Sequence, residues 1–120
     1  MTEPPQTNYF DLSDSTNIPQ VVPFSFNLDS PYPNPFKIET RIAISIPVQS
    51  QINLVVQNPL GDIVKVIVSE EVPAGRFSYT WSGENDDAEK VDKGLYFITL
   101  ESKKRNFIQS RPLIYGKTKP

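Results

Sequence analysis

Neither cysteine nor histidine occurs among the 120 residues of this chain. Without thiols there are no disulfides and no thiolate metal sites, so the fold has to be held by packing alone. Without imidazole the commonest general base, the commonest metal ligand and every triad built on histidine are missing too, and no enzyme activity is expected. An excess of one charge is also lacking: 12 Lys and Arg against 14 Asp and Glu leave a formal −2. Such a chain has no general attraction to phosphate backbones or anionic lipid, and no nucleic-acid partner is expected. No run approaches the ~20 apolar residues of a membrane span, and Met1 to Asn17 has neither the basic nor the apolar part of a signal peptide. The sequence therefore reads as soluble and unsignalled, with no transmembrane segment.

What is present is enough for one packed interior. The chain is 38% hydrophobic and 11% aromatic, and its length suits a single domain of about 100–150 residues. Twelve prolines favour turns and extended segments over helices. Residues 1–22 are polar and proline-dotted with no sustained period, an extended tail or linker. Tyr9, Phe10 and Leu12 interrupt that polarity. Two readings stand for them: part of a linker, or an arm whose apolar side chains dock on a partner or on the domain itself.

From residue 23 to 115 short alternating runs are separated by turn signals, the pattern of a sandwich rather than of βαβ units. Phe24, Phe26 and Leu28 alternate with polar residues in a first strand. Ile42, Ile44 and Ile46 face one way and Arg41, Ala43 and Ser45 the other, the period of two of a half-buried strand. Ile52, Leu54 and Val56 repeat it up to Asn58-Pro59-Leu60-Gly61-Asp62, a turn in which proline presets φ and glycine can supply a positive one.

Ile63 to Val68 is the most continuously apolar segment and predicts a buried strand. Beyond the turn at Pro73-Ala74-Gly75, Phe77, Tyr79 and Trp81 put three rings on one face, which predicts the centre of the core. In Leu95 to Leu100 both faces are apolar enough to be covered. Lys103, Lys104, Arg105 and Asn106 make a charged hairpin tip, and Pro112 argues that Phe107 to Tyr115 is an edge strand. Residues 116–120 form a short C-terminal tail. About seven antiparallel strands over roughly 100 residues predict an all-β, immunoglobulin-like β-sandwich with extended tails.

The ordered set Phe26, Leu28, Tyr32, Pro33, Asn34, Pro35, Phe36, Thr40, Ile42 and Pro47, followed by Leu60, Gly61, Gly75, Trp81, Gly83, Gly94, Leu95, Tyr96 and Phe97, resembles type IX secretion C-terminal sorting domains and the related flagellar hook-cap (FlgD-like) immunoglobulin-like modules. The resemblance spans roughly residues 26 to 115. Taken as residues, these landmarks have structural roles. Tyr32 to Phe36 alternates rigid prolines with two rings and predicts an extended lead that pins both rings against one end of the sandwich. Gly61, Gly75 and Gly94 suit backbone positions of unusual φ or close approach. Trp81, in phase with Phe77 and Tyr79, is a core anchor. The ending differs from that of sorting domains, which close on a short basic and apolar strand; here Pro112 interrupts the last strand and a further tail follows.

The search for chemistry turns up one acidic loop, Glu84, Asp86, Asp87 and Glu89. It reads either as a solvated loop or as a weak Ca²⁺ site, and it lacks the alternating spacing and central glycine of an EF-hand. Adjacent loop carboxylates offer no cleft for glycoside hydrolysis, and no phosphate-cradling glycine motif follows any strand. No cofactor is expected. Two functions follow as expectations: a protein-interaction module resembling type IX sorting and anchoring domains, or a structural subunit of a larger assembly such as a surface layer, filament, virion or multi-subunit complex, with its tails as clamps. The first implies the cell surface or exterior; the second implies a soluble or membrane-associated complex.

Overall fold

The structure, a computed structural model, describes residues 22–116. Seven strands form two antiparallel sheets: β1 (Asn27–Leu28), β2 (Thr40–Ile46), β3 (Ser50–Gln57), β4 (Ile63–Val72), β5 (Gly75–Trp81), β6 (Gly94–Ser102) and β7 (Phe107–Tyr115). One sheet has the order β1-β2-β5 and the other β4-β3-β6-β7. The chain is an all-β, immunoglobulin-like sandwich, and among the described residues the only helical turn is 3₁₀, at Lys103–Arg105.

The alternating strands make the core because a period of two sends every second side chain between the sheets. Ile42, Ile44 and Ile46 of β2 meet Ile52, Leu54 and Val56 of β3 and Ile98 and Leu100 of β6, all completely buried. Each such side chain contributes about 1.5–3 kcal/mol by leaving water.

Four expectations need correction. The first strand is two residues long, and Phe24 lies outside it, fully exposed. β4 is an edge strand, not a buried one: Ile63 is 58% exposed and only Val68 within Ile63–Val68 is buried. The cause is the strand order, which gives β4 a neighbour only in β3; register shifts at Leu54/Val55 and Val56/Gln57 leave Ile67 and Val64 without partners, and these two still pack against the core.

The centre of the core is not on β5. Trp81 is buried, but Phe77 and Tyr79 are half-buried because β5 is also an edge, with β2 as its only neighbour. On β6 the inner face (Tyr96, Ile98, Leu100) is buried, whereas Leu95 on the outer face is exposed and Phe97 half-buried.

Pro112 lies on β7, an edge strand paired only with β6, where a missing N–H costs the ladder least. The β6–β7 hairpin closes through the basic 3₁₀ turn, and Asn106 takes the left-handed conformation at φ 57.

Candidate interaction surface

The Tyr32–Phe36 segment works as a stitch between the sheets. Its backbone bends through Pro33–Pro35, with cis bonds at Tyr32–Pro33 and Asn34–Pro35, instead of running extended. Asn34 serves the open edge of β7 with its side chain: Nδ2 donates to the Pro112 carbonyl at 3.0 Å, and Oδ1 accepts from the Ile114 N–H at 2.9 Å. The Phe36 backbone then continues as a neighbouring strand would, donating to the Ile114 carbonyl and accepting from the Gly116 N–H. Thr40, fully buried, donates its hydroxyl to the Pro33 carbonyl. β1 meets β7 through side chains: the Gln109 amide oxygen accepts from the Leu28 N–H and the Arg111 guanidinium donates to the Leu28 carbonyl.

The two rings of the segment part company. Phe36 is buried and stacked on Tyr115 at 4.8 Å, whereas Tyr32 is 78% exposed, correcting the expectation that both are pinned. Tyr32 is fixed through its backbone, by paired hydrogen bonds with Arg41.

Phe36 opens an aromatic cluster at one end of the sandwich. Trp81 packs against Phe36, Tyr96 and Tyr115 with centroids 5.4–6.0 Å apart and donates its indole N–H to the Glu84 carbonyl at 2.8 Å. Tyr96 donates its hydroxyl to the Asp92 carbonyl. Burial first, then the Asp92 charge and neighbouring Tyr115, push the Tyr96 phenol above its ordinary range. Tyr79 is also raised, by burial and then by Glu70.

Gly83 is the position in this cluster that the residue-level reading left without a role. A Cβ there would collide with the Tyr115 ring and hydroxyl, and its φ is +79. The signal, a glycine two residues after the only tryptophan, acquires meaning only once β7 brings Tyr115 across. Of the other landmarks, Leu60 and Gly61 sit in the β3–β4 turn, where Asn58 Oδ1 accepts from the Leu60 and Asp62 N–H groups. Leu60 is exposed there. Gly75 and Gly94 open β5 and β6.

The acidic residues have separate tasks. Asn85 Oδ1 accepts from the Asp87 and Glu89 N–H groups, making a tight turn, and Glu89 accepts from the Asn85 amide. Asp86 points away to β4, accepting from the Val66 N–H at 3.0 Å with Lys65 4.0 Å off. Among the described residues no three acidic groups converge as a metal site would need. Tyr9, Phe10 and Leu12 lie outside the described residues.

Each outer sheet face carries a shallow hollow. On the three-stranded sheet, Asp29, Tyr32, Pro33, Glu39, Arg41 and Ala43 border a hollow of mixed character, and Arg76 bridges to Ser45 and Asp29. On the four-stranded sheet, register brings Val55 beside Val66 and Thr99, and exposed Ile63, Leu95, Ile108 and Ile114 surround them. Gln57, Thr99 and Ser110 form a hydrogen-bonded line across it. Exposed apolar side chains thus stand on this face beside polar ones, Asn53, Ser69, Glu101 and Lys103 among them.

The family model for the FlgD Ig-like domain matches residues 34–106. The chain belongs to the FlgD Ig-like domain family. Members of this FlgD-like family are structural, non-catalytic domains. Two solved structures resemble the FlgD-like chain. One is FlgD from P. aeruginosa, 17% identical, TM-score 0.49, covering 65% of this chain and 64% of that one. The other is PorZ, described as an essential bacterial surface component of the type-IX secretion system of Porphyromonas gingivalis, 14% identical, TM-score 0.48, covering 77% of this chain and 11% of that one. The FlgD-like chain thus spans less than two thirds of either protein. No curated protein matches it.

Proposed function

We propose that this FlgD-like domain is a protein-attachment module of the kind resembled in its landmarks, the type IX sorting and anchoring domains, and that residues 23–115 form its folded unit. The observation that carries the reading is the division of labour among its residues. Phe36, Trp81, Gly83 and Tyr96 are spent on the frame, and Ile63, Leu95, Ile108 and Ile114 on the outer face of the four-stranded sheet are left to meet a partner. The test is a fusion of the domain to a neutral reporter in a bacterium that has type IX export. Surface display of the reporter, lost in the Ile63→Glu/Ile108→Glu double variant with folding retained, is the expected outcome; a reporter that stays inside the cell with the intact domain overturns it.

One observation favours a second reading, a structural subunit of a larger assembly. The final strand, the part of a sorting domain expected to be read, has the free edge of its C-terminal half occupied by Asn34 and Phe36. A strand clamped in this way suits a permanent building block.

A further inference from the structure

The free side of β4 carries a pattern that matches itself. Pairing with β3 sorts the side chains: Val66 and Ser69 stand opposite Val55 and Asn53 on the outer face, whereas Lys65, Val68 and Glu70 stand opposite buried Val56, Leu54 and Ile52 on the inner one. Ile67, left over at the register shift, also turns inward and packs against the core. Residues 65 to 70 therefore read in, out, in, in, out, in, the same from either end about a centre between Ile67 and Val68. The bulge at Ile67 creates this symmetry.

The backbone follows the same symmetry. The Val66 N–H bonds to Asp86 at 3.0 Å, so it points away from β3. Asn53 lies two residues from Val55 on β3, and its partner Ser69 therefore presents its own N–H and carbonyl to the same open side. An antiparallel second β4 with Lys65 opposite Glu70 brings Val66 against Ser69 twice, and both pairs are placed to exchange backbone hydrogen bonds. It also sets Lys65 against Glu70 twice, opposite charges on one face. Of the registers that match inner residues to inner ones, this alone sets Lys65 against a carboxylate; centring the pair on Glu70 instead would put two glutamates face to face, which is destabilising. What stands in the way is one exposed residue, Asp86, on the Val66 N–H and 4.0 Å from Lys65. A second strand replaces both contacts like for like, with the Ser69 carbonyl on the N–H and Glu70 beside the lysine.

We propose that the free edge of β4 is a self-pairing site, at which residues 65–70 of two copies join antiparallel about a two-fold axis, with Asp86 as a stopper that each copy has to release. The two four-stranded sheets then run on as one. Residues 65–70 are far fewer than the roughly 20–30 a side of a stable interface. Dilute chains therefore stay single, and pairing sets in where copies are concentrated, as on a surface or within an assembly. The site does not depend on the attachment reading.

Sedimentation velocity of the full chain carrying Asp86→Ala, in which the stopper is gone, reads the pairing directly. Its association is expected to be about tenfold tighter than the parent's, two exposed contacts of about 0.7 kcal/mol each being removed per dimer. In that background Lys65→Glu or Glu70→Lys alone should weaken association several-fold, with Trp81 emission unchanged as the sign of an intact sandwich. An equimolar mixture of the two should restore it, because each mixed pair regains both opposite-charge contacts. The chain has no cysteine, so the register is read by adding one: Val66→Cys and Ser69→Cys chains oxidised together should cross-link faster than either does alone. An Asp86→Ala chain that stays monomeric at the highest concentrations, or a charge-swapped mixture no tighter than its components, overturns the proposal. Val66→Cys chains that cross-link fastest with themselves overturn it too. None of these results bears on the reporter fusion, so the attachment reading stands or falls separately.

Discussion

At the scale of single residues, the aromatic end of the sandwich concentrates the most demanding geometry. A side chain at Gly83 would have to displace the Tyr115 ring, itself stacked on buried Phe36 and fixed against Trp81. Overpacking of this kind costs about 1–3 kcal/mol, to which the positive φ adds strain. Gly83→Ala is expected to lower the thermal midpoint by several degrees and to red-shift the emission of Trp81, the only tryptophan, as the cluster opens.

Titration in the same cluster gives a second expectation. The raised phenol of Tyr96 binds its proton more tightly in the folded chain than in the unfolded one. The unfolded state therefore loses that proton first as pH rises past about 10, the ordinary tyrosine value, and folding stability falls with further alkalinity. Tyr96→Phe should flatten the decline of the denaturant midpoint above that pH. At neutral pH it should cost about 0.5–1.5 kcal/mol for the lost bond to the Asp92 carbonyl.

At the scale of elements, the sheet edges are managed unequally. The C-terminal half of the β7 edge is covered by the Asn34–Phe36 stitch, and the Gln109 and Arg111 side chains hold β1 beside the strand. On the free side of β4, Asp86 occupies the Val66 N–H. β4 is apolar and β-branched at its start, the composition that pairs with other strands when left open. Asp86→Ala should change the unfolding free energy by no more than about 1 kcal/mol, since the site is exposed, yet raise concentration-dependent association in sedimentation velocity. Asp86→Asn, which keeps an acceptor oxygen, should behave as the parent chain. Equal association in both variants would show that Asp86 acts through charge and not as a stopper of the edge.

At the scale of the whole molecule, the two functional readings separate by mass. An attachment module on its own should run as a monomer under native conditions. A permanent subunit should come out with partners in fixed stoichiometry, and loss of residues 1–22 should abolish its incorporation while the sandwich stays folded. Native mass spectrometry of an affinity-tagged copy distinguishes them.

The sequence alone was enough for the all-β class, the strand count and the buried faces of β2 and β3, because a period of two is written residue by residue and needs no knowledge of neighbours. It was enough, too, to place the chain near its family through the Tyr32–Phe36 run and the glycine and aromatic landmarks. The order of strands within each sheet was decided only by tertiary structure. That order made β4 and β5 edges, so the apolar run at Ile63–Val68 stands half in solvent and Phe77 and Tyr79 lie off the core's centre. Contacts between residues some 30 to 80 positions apart were equally out of reach: Asn34 with β7, Gly83 beneath Tyr115, Val55 beside Thr99. Burial depends on how many neighbours surround a strand, and a strand's own residues do not record that number.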